Sequence, residues 1–70
     1  MLTISNKLVQ IAKLVDKSRD LAYNGNHHES NNLFQQAYIY SKEVLELYDA
    51  GMFSDQEYSF LTEIIRSFEY

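Results

Sequence analysis

Apolar and small residues alternate at spacings of four and three along this chain, and three separate stripes emerge. Ile4, Leu8, Ile11, Val15, Ser18 and Ala22 form the first. That spacing places them on one face of an α-helix, with Leu14 and Leu21 widening the face. Thr3 or Ser5 stands where a helix cap belongs. Asn24-Gly25 then supplies a residue that tolerates positive φ, the usual helix stop. A helix is expected over about residues 4–23.

Asn26, with Glu29 three residues later, approximates a capping box and opens a second helix. Its stripe is Ser30, Leu33, Ala37, Tyr40, Val44 and Leu47, flanked by Phe34, Ser41, Leu45 and Tyr48. No breaker interrupts it before Gly51, so the pattern predicts a helix over about 27–50, roughly 36 Å long at about 1.5 Å per residue. Ser54 and Glu57 form a reciprocal capping box for a third helix, with Phe53 and Tyr58 placed as a hydrophobic staple. Leu61, Ile64, Ile65 and Phe68 give it a buried stripe over about 55–69. Two short turns make consecutive helices antiparallel. The expected fold is all-α, a three-helix up-down-up antiparallel bundle forming a single helical domain over residues 1–70. The second helix outruns the third, so part of its stripe is covered either by the first helix or by a second copy in a homodimer.

The chain is 70 residues long and has no cysteine. A core this small rarely supplies more than about 3–5 kcal/mol of net stability, and disulfides or thiolate-held zinc cannot supplement it. Helix packing and a partner surface remain. No apolar run approaches the roughly 18 residues needed to span a bilayer. Lys7, Gln10 and Lys13 interrupt any signal-like apolar region near the start. These features lead us to expect a cytoplasmic protein with no membrane contact. The residue usage, rich in Phe, Tyr, Ile, Asn and Lys and poor in Gly, Ala, Arg and Pro, leans toward AT-rich coding, as in a low-GC bacterium or its phages.

Charge is segregated along the chain. Lys7, Lys13, Lys17 and Arg19 face only Asp16 and Asp20 in the first 25 residues, a balance of +2. The remainder carries eight acids against Lys42 and Arg66, a balance of −6, which together give the net −4. An acidic total argues against non-specific attraction to nucleic-acid phosphates, so nucleic acid is not the expected partner.

Residues 14–37 resemble a single tetratricopeptide-repeat hairpin. Leu14, Ser18 and Leu21 match the large–small–large pattern of that family's first helix. Gly25, Ser30, Phe34 and Ala37 match its turn and second helix. Lys17 and Lys42 depart from the pattern, and one repeat alone cannot build the family's concave groove. A three-helix bundle with such a first hairpin also resembles the microtubule-interacting-and-transport domain. Both resemblances imply protein or peptide binding.

Few residues suggest chemistry. His27 and His28 are adjacent, so they point in directions about 100° apart, whereas metal-binding pairs lie three or four apart on one face. The carboxylates Glu43, Glu46 and Asp49 are three apart, but on an exposed helix face they form a solvated ridge rather than an acid–base pair. No phosphate loop or nucleophile motif is present. We therefore expect no enzyme, no metal and no cofactor. Tyrosine offers stiff contact area with a polar tip and is enriched at interface hot spots. Tyr38, Tyr40, Tyr48, Tyr58 and Tyr70 are accordingly the best signs of binding.

The expected function is that of a small regulatory or adaptor protein. It would contact a basic surface on a partner protein through Tyr38, Glu43, Glu46, Tyr48, Asp49, Asp55, Glu57 and Tyr58. Its sharpest form is a phage- or mobile-element-type inhibitor that occupies a nucleic-acid-binding groove by charge mimicry. The alternatives are an RNA-binding helical dimer using Lys13 and Lys17, and a self-assembling structural module.

Overall fold

The computed structural model describes the backbone of residues 4–69 and the side chains of residues 6–69. Thr3 and Tyr70 lie outside the described residues. Helix α1 spans Ile4–Tyr23, α2 His27–Leu47 and α3 Asp55–Glu69, with a short 3-10 turn at Ala50–Met52. The three helices pack as an all-α bundle. Among the described residues, no helix is long and apolar enough to cross a membrane.

The α1–α2 turn follows from Gly25, whose φ is +89°. The Asn26 amide donates to the Leu21 carbonyl at 2.8 Å, and the Gly25 amide donates to the Ala22 carbonyl at 3.1 Å. This is the Schellman arrangement, which satisfies the last carbonyls of α1 and reverses the chain within three residues. The side chain of Asn26 makes no capping hydrogen bond, contrary to the expected capping box. Its backbone is already held at both ends, because its carbonyl also accepts from the Ser30 amide at 3.0 Å.

The capping box of α3 is present in full. The Ser54 amide donates to Glu57 Oε1 at 2.8 Å, and the Glu57 amide donates to Ser54 Oγ at 3.1 Å. The staple differs from expectation, since Phe53 is buried and its aromatic partner is Tyr48, edge-on at 6.5 Å, while Tyr58 stays exposed. That ring contact accounts for a second difference. Helix α2 stops at Leu47, not near residue 50, because Tyr48 and Asp49 adopt extended backbone before the 3-10 turn. Extended residues there swing Phe53 back into the core. No glycine or proline marks the change of course.

The core comprises Leu8, Ile11 and Val15 of α1, Ala37 and Val44 of α2, Leu61 and Ile64 of α3, and Phe53 before α3. On α1 the expected stripe is buried at Leu8, Ile11, Val15 and Ser18. On α2 the buried line is rotated from expectation. Ser30, Ala37, Ser41 and Val44 are buried, whereas Tyr40 is 43% and Leu47 72% exposed. Small side chains lie at the centre because α2 sits between α1 and α3 and packs closely against both. Ser41 satisfies its own hydroxyl by donating to the Ala37 carbonyl at 2.8 Å. Helices α1 and α3 flank α2, and each makes extensive backbone approach to it.

Candidate functional site

Three surface regions carry the residues singled out above. The first joins the middle of α2 to the end of α3. The Tyr38 and Phe68 rings stack with centroids 4.3 Å apart, and Phe34 lies 6.3 Å from Phe68. The Tyr38 hydroxyl donates to Glu69 Oε2 at 2.7 Å. Lys42 Nζ lies 3.8 Å from the same oxygen and 5.4 Å from the Tyr38 ring centroid. The Tyr38 phenol, and then the Glu69 carboxylate, hold the Lys42 ammonium above the usual lysine range. Tyr38 is half-buried, and its ring and hydroxyl are both engaged within the chain. The most direct role of this cluster is to fix the last turn of α3.

The second region is the corner between α2 and α3. The turn brings Asp49 and Asp55, both exposed, to the same end of the bundle as Tyr48, Glu57 and Tyr58. Tyr48 is half-buried against Phe53, and the Glu57 carboxylate is occupied by the Ser54 amide. Tyr58 is 44% exposed. Tyr38 is separated from Tyr48 by about 15 Å of helix, so it belongs to a different patch.

The third region is the outer face of α2, where Glu43 and Glu46 are exposed. Glu43 and Tyr40 also line a crevice of about 230 Å³ shared with Lys7 and Gln10 of α1. Among the described residues the one ion pair is Lys42–Glu69. Glu43, Glu46, Asp49 and Asp55 are all exposed, from the outer face of α2 around the corner, with Lys7 beside Glu43 and Lys42 near enough to Glu46 to feel its charge.

His27 and His28 are exposed in the first turn of α2. Among the described residues no group of three or more His, Asp or Glu side chains is arranged to hold a metal. Lys13 and Lys17 are exposed on α1. Tyr23, unremarked in the sequence pattern, is 94% exposed at the end of α1.

The sequence pattern also missed an open groove between α1 and α3. Leu8, Val9, Ala12, Gln56, Glu57 and Phe60 line it, with a volume of about 410 Å³. Val9 is 52% exposed there. Its signal was an apolar residue off the stripe on each helix, Val9 on α1 and Phe60 on α3. No family model, curated protein or solved structure matches this chain.

Proposed function

We propose that this protein is a small non-enzymatic regulator or adaptor that binds another protein through the acidic, tyrosine-bearing exterior of α2 and the α2–α3 corner. The supporting observation is the run of exposed acids Glu43, Glu46, Asp49 and Asp55, none of them in a close ion pair among the described residues, with Tyr58 44% exposed at the same corner as Asp49 and Asp55. Like charges held on a rigid helical frame raise the potential over a surface. They steer a basic partner toward it and suppress association with acidic ones. Tyr58 adds contact area at low entropic cost. Glu57 acts indirectly by fixing the start of α3, and Tyr38 by fixing its end. A partner site that normally holds nucleic acid fits this surface best, because its basic residues are already spaced for a row of negative charges.

The test is the association rate with the purified partner, measured for the wild type and for Glu43→Lys/Glu46→Lys. The reading requires a slower on-rate, less dependence on salt and an unchanged helical spectrum. An unchanged on-rate would make the ridge ordinary solvated surface.

A further inference from the structure

We propose that Asn24 is a site of spontaneous covalent modification, at which the side-chain amide closes onto the backbone nitrogen of Gly25 and releases ammonia, and that the turn between α1 and α2 gates the reaction. This goes beyond the acidic-surface reading and does not rest on it.

The chemistry needs an asparagine followed by a residue that does not shield its own backbone nitrogen. Asn24-Gly25 is the one Asn-Gly pair in the chain. Asn6, Asn26, Asn31 and Asn32 are followed by Lys7, His27, Asn32 and Leu33, whose side chains crowd that nitrogen. Asn24 is exposed, and Gly25 stands in open space, with nothing within 4 Å of where a Cβ would lie. Water and a departing ammonia therefore have room. In the first step the Gly25 nitrogen gives its proton to solvent and bonds to Asn24 Cγ. The bond from Cγ to its amide nitrogen breaks, and that nitrogen leaves as ammonia with a proton taken from solvent. No atom is oxidised or reduced. Water then opens the succinimide ring. Cleavage at Cγ leaves aspartate. Cleavage at the main-chain carbonyl leaves isoaspartate, with an extra methylene in the backbone.

The folded turn holds the nucleophile back. The Gly25 amide donates to the Ala22 carbonyl at 3.1 Å, the Asn26 amide to the Leu21 carbonyl at 2.8 Å, and the Asn24 amide to the Asp20 carbonyl at 3.1 Å. Three consecutive amides are thus fixed, and the Gly25 nitrogen has to break its bond before it turns toward Cγ. Helix ends open at less cost than the whole fold, so the reaction proceeds through that local opening. Each product then damages the gate. Aspartate puts a negative charge at the C-terminal end of α1, where the helix dipole favours cations. Isoaspartate lengthens the backbone and moves the Gly25 and Asn26 amides off the carbonyls they satisfy. Modification therefore loosens the hairpin, and the turn sets a chemical lifetime for the folded chain.

The test ages the full chain in mildly alkaline buffer, folded and unfolded in guanidinium, and follows the peptide that contains Asn24 by mass spectrometry with fragmentation. Conversion of amide to acid is expected at Asn24 in both samples, about tenfold or more slower in the folded chain. The Gly25 amide should be protected from hydrogen exchange to a similar degree. Asn24→Gln, at an exposed position, should keep the fold and lose the conversion, and the aged wild type should melt below the fresh protein. Conversion at other asparagines with Asn24 intact, or an undiminished rate in Asn24→Gln, overturns the site. Equal rates in the folded and unfolded chain, or a Gly25 amide that exchanges as fast as in the unfolded chain, overturns the gate. An unchanged melt after full conversion overturns the loosening of the hairpin.

Discussion

Ser18 and Ser30 lock α1 to α2 by exchanging hydrogen bonds with each other's backbone. Ser30 Oγ donates to the Ser18 carbonyl at 2.7 Å, Ser18 Oγ donates to the Ser30 carbonyl at 3.1 Å, and the two hydroxyls lie 3.1 Å apart. Both residues are buried, so the hydroxyls have no water to turn to and the pair is self-sufficient. Their size also sets how closely the helices approach.

Removing either hydroxyl should destabilise the bundle by about 1 kcal/mol, the usual worth of one buried hydrogen bond. Each hydroxyl donates to a backbone carbonyl that alanine keeps, so Ser18→Ala/Ser30→Ala should cost close to the sum of the single changes, short of it only by the shared hydroxyl–hydroxyl contact. Ser30→Leu should cost more, about 1–3 kcal/mol, by forcing the helices apart. Urea unfolding of the four variants measures all of this. A double variant that costs only as much as one single change would mean that the hydroxyl–hydroxyl contact, and not the two bonds to backbone, holds the helices.

At Gly25 the cost is conformational. A Cβ there would meet nothing within 4 Å, so space is not the constraint. The positive φ is, and Gly25→Ala should lose about 1–2 kcal/mol. Gly51 likewise has open space around it and no positive φ, so Gly51→Ala should be close to neutral. Thermal melts of the two variants make the comparison.

How much of this was readable in advance differs from helix to helix. Helix α1, its glycine stop and the α3 capping box follow from local signals, and the structure bears them out. The end of α2 was not readable, because the burial of Phe53 against Tyr48 decides it and no nearby residue announces that contact. The buried line of α2 was misplaced because hydrophobic weight favours Tyr40 and Leu47. Close packing on two sides favours Ser41 and Ala37 instead. The candidate surface was legible as charge, since Glu43, Glu46, Asp49 and Asp55 are all exposed. Tyr38, expected on that surface, is instead engaged within the chain, which was not legible because its stacking on Phe68 depends on where α3 ends.

The end of α3 depends on Tyr38. Tyr38→Phe keeps the ring stack and loses the bond to Glu69, an exposed contact of small worth. Tyr38→Ala loses the stack as well, an aromatic pair worth about 0.5–1.5 kcal/mol beyond its buried area. Hydrogen exchange at residues 65–69 should accelerate clearly in the alanine variant and little in the phenylalanine one. Equal acceleration in both would assign the effect to the hydroxyl.

Lys42 gives the same cluster an alkaline limit. Its pKa is raised in the folded state, so the stabilisation it provides is present below the ordinary lysine value of 10.5 and is lost as pH climbs through the higher folded value. Wild type should therefore lose stability relative to Lys42→Met across that alkaline range. The loss should be small, since the pair with Glu69 is exposed, and the two proteins should respond alike to acidification from neutral pH down to about 6, where Lys42 does not titrate. Stability measured against pH for both proteins tests the sign.

The central question is whether the acidic surface of α2 and the α2–α3 corner recruits a protein. The decisive measurement is a tagged capture from host lysate, with and without nuclease, at low and moderate salt. Wild type is compared with Glu43→Lys/Glu46→Lys/Asp49→Lys/Asp55→Lys. Binding through the acidic surface should give a stoichiometric protein band that survives nuclease, weakens with salt and is absent from the charge-reversed variant. Recovery that requires intact RNA, or a band indifferent to the reversal, would contradict it.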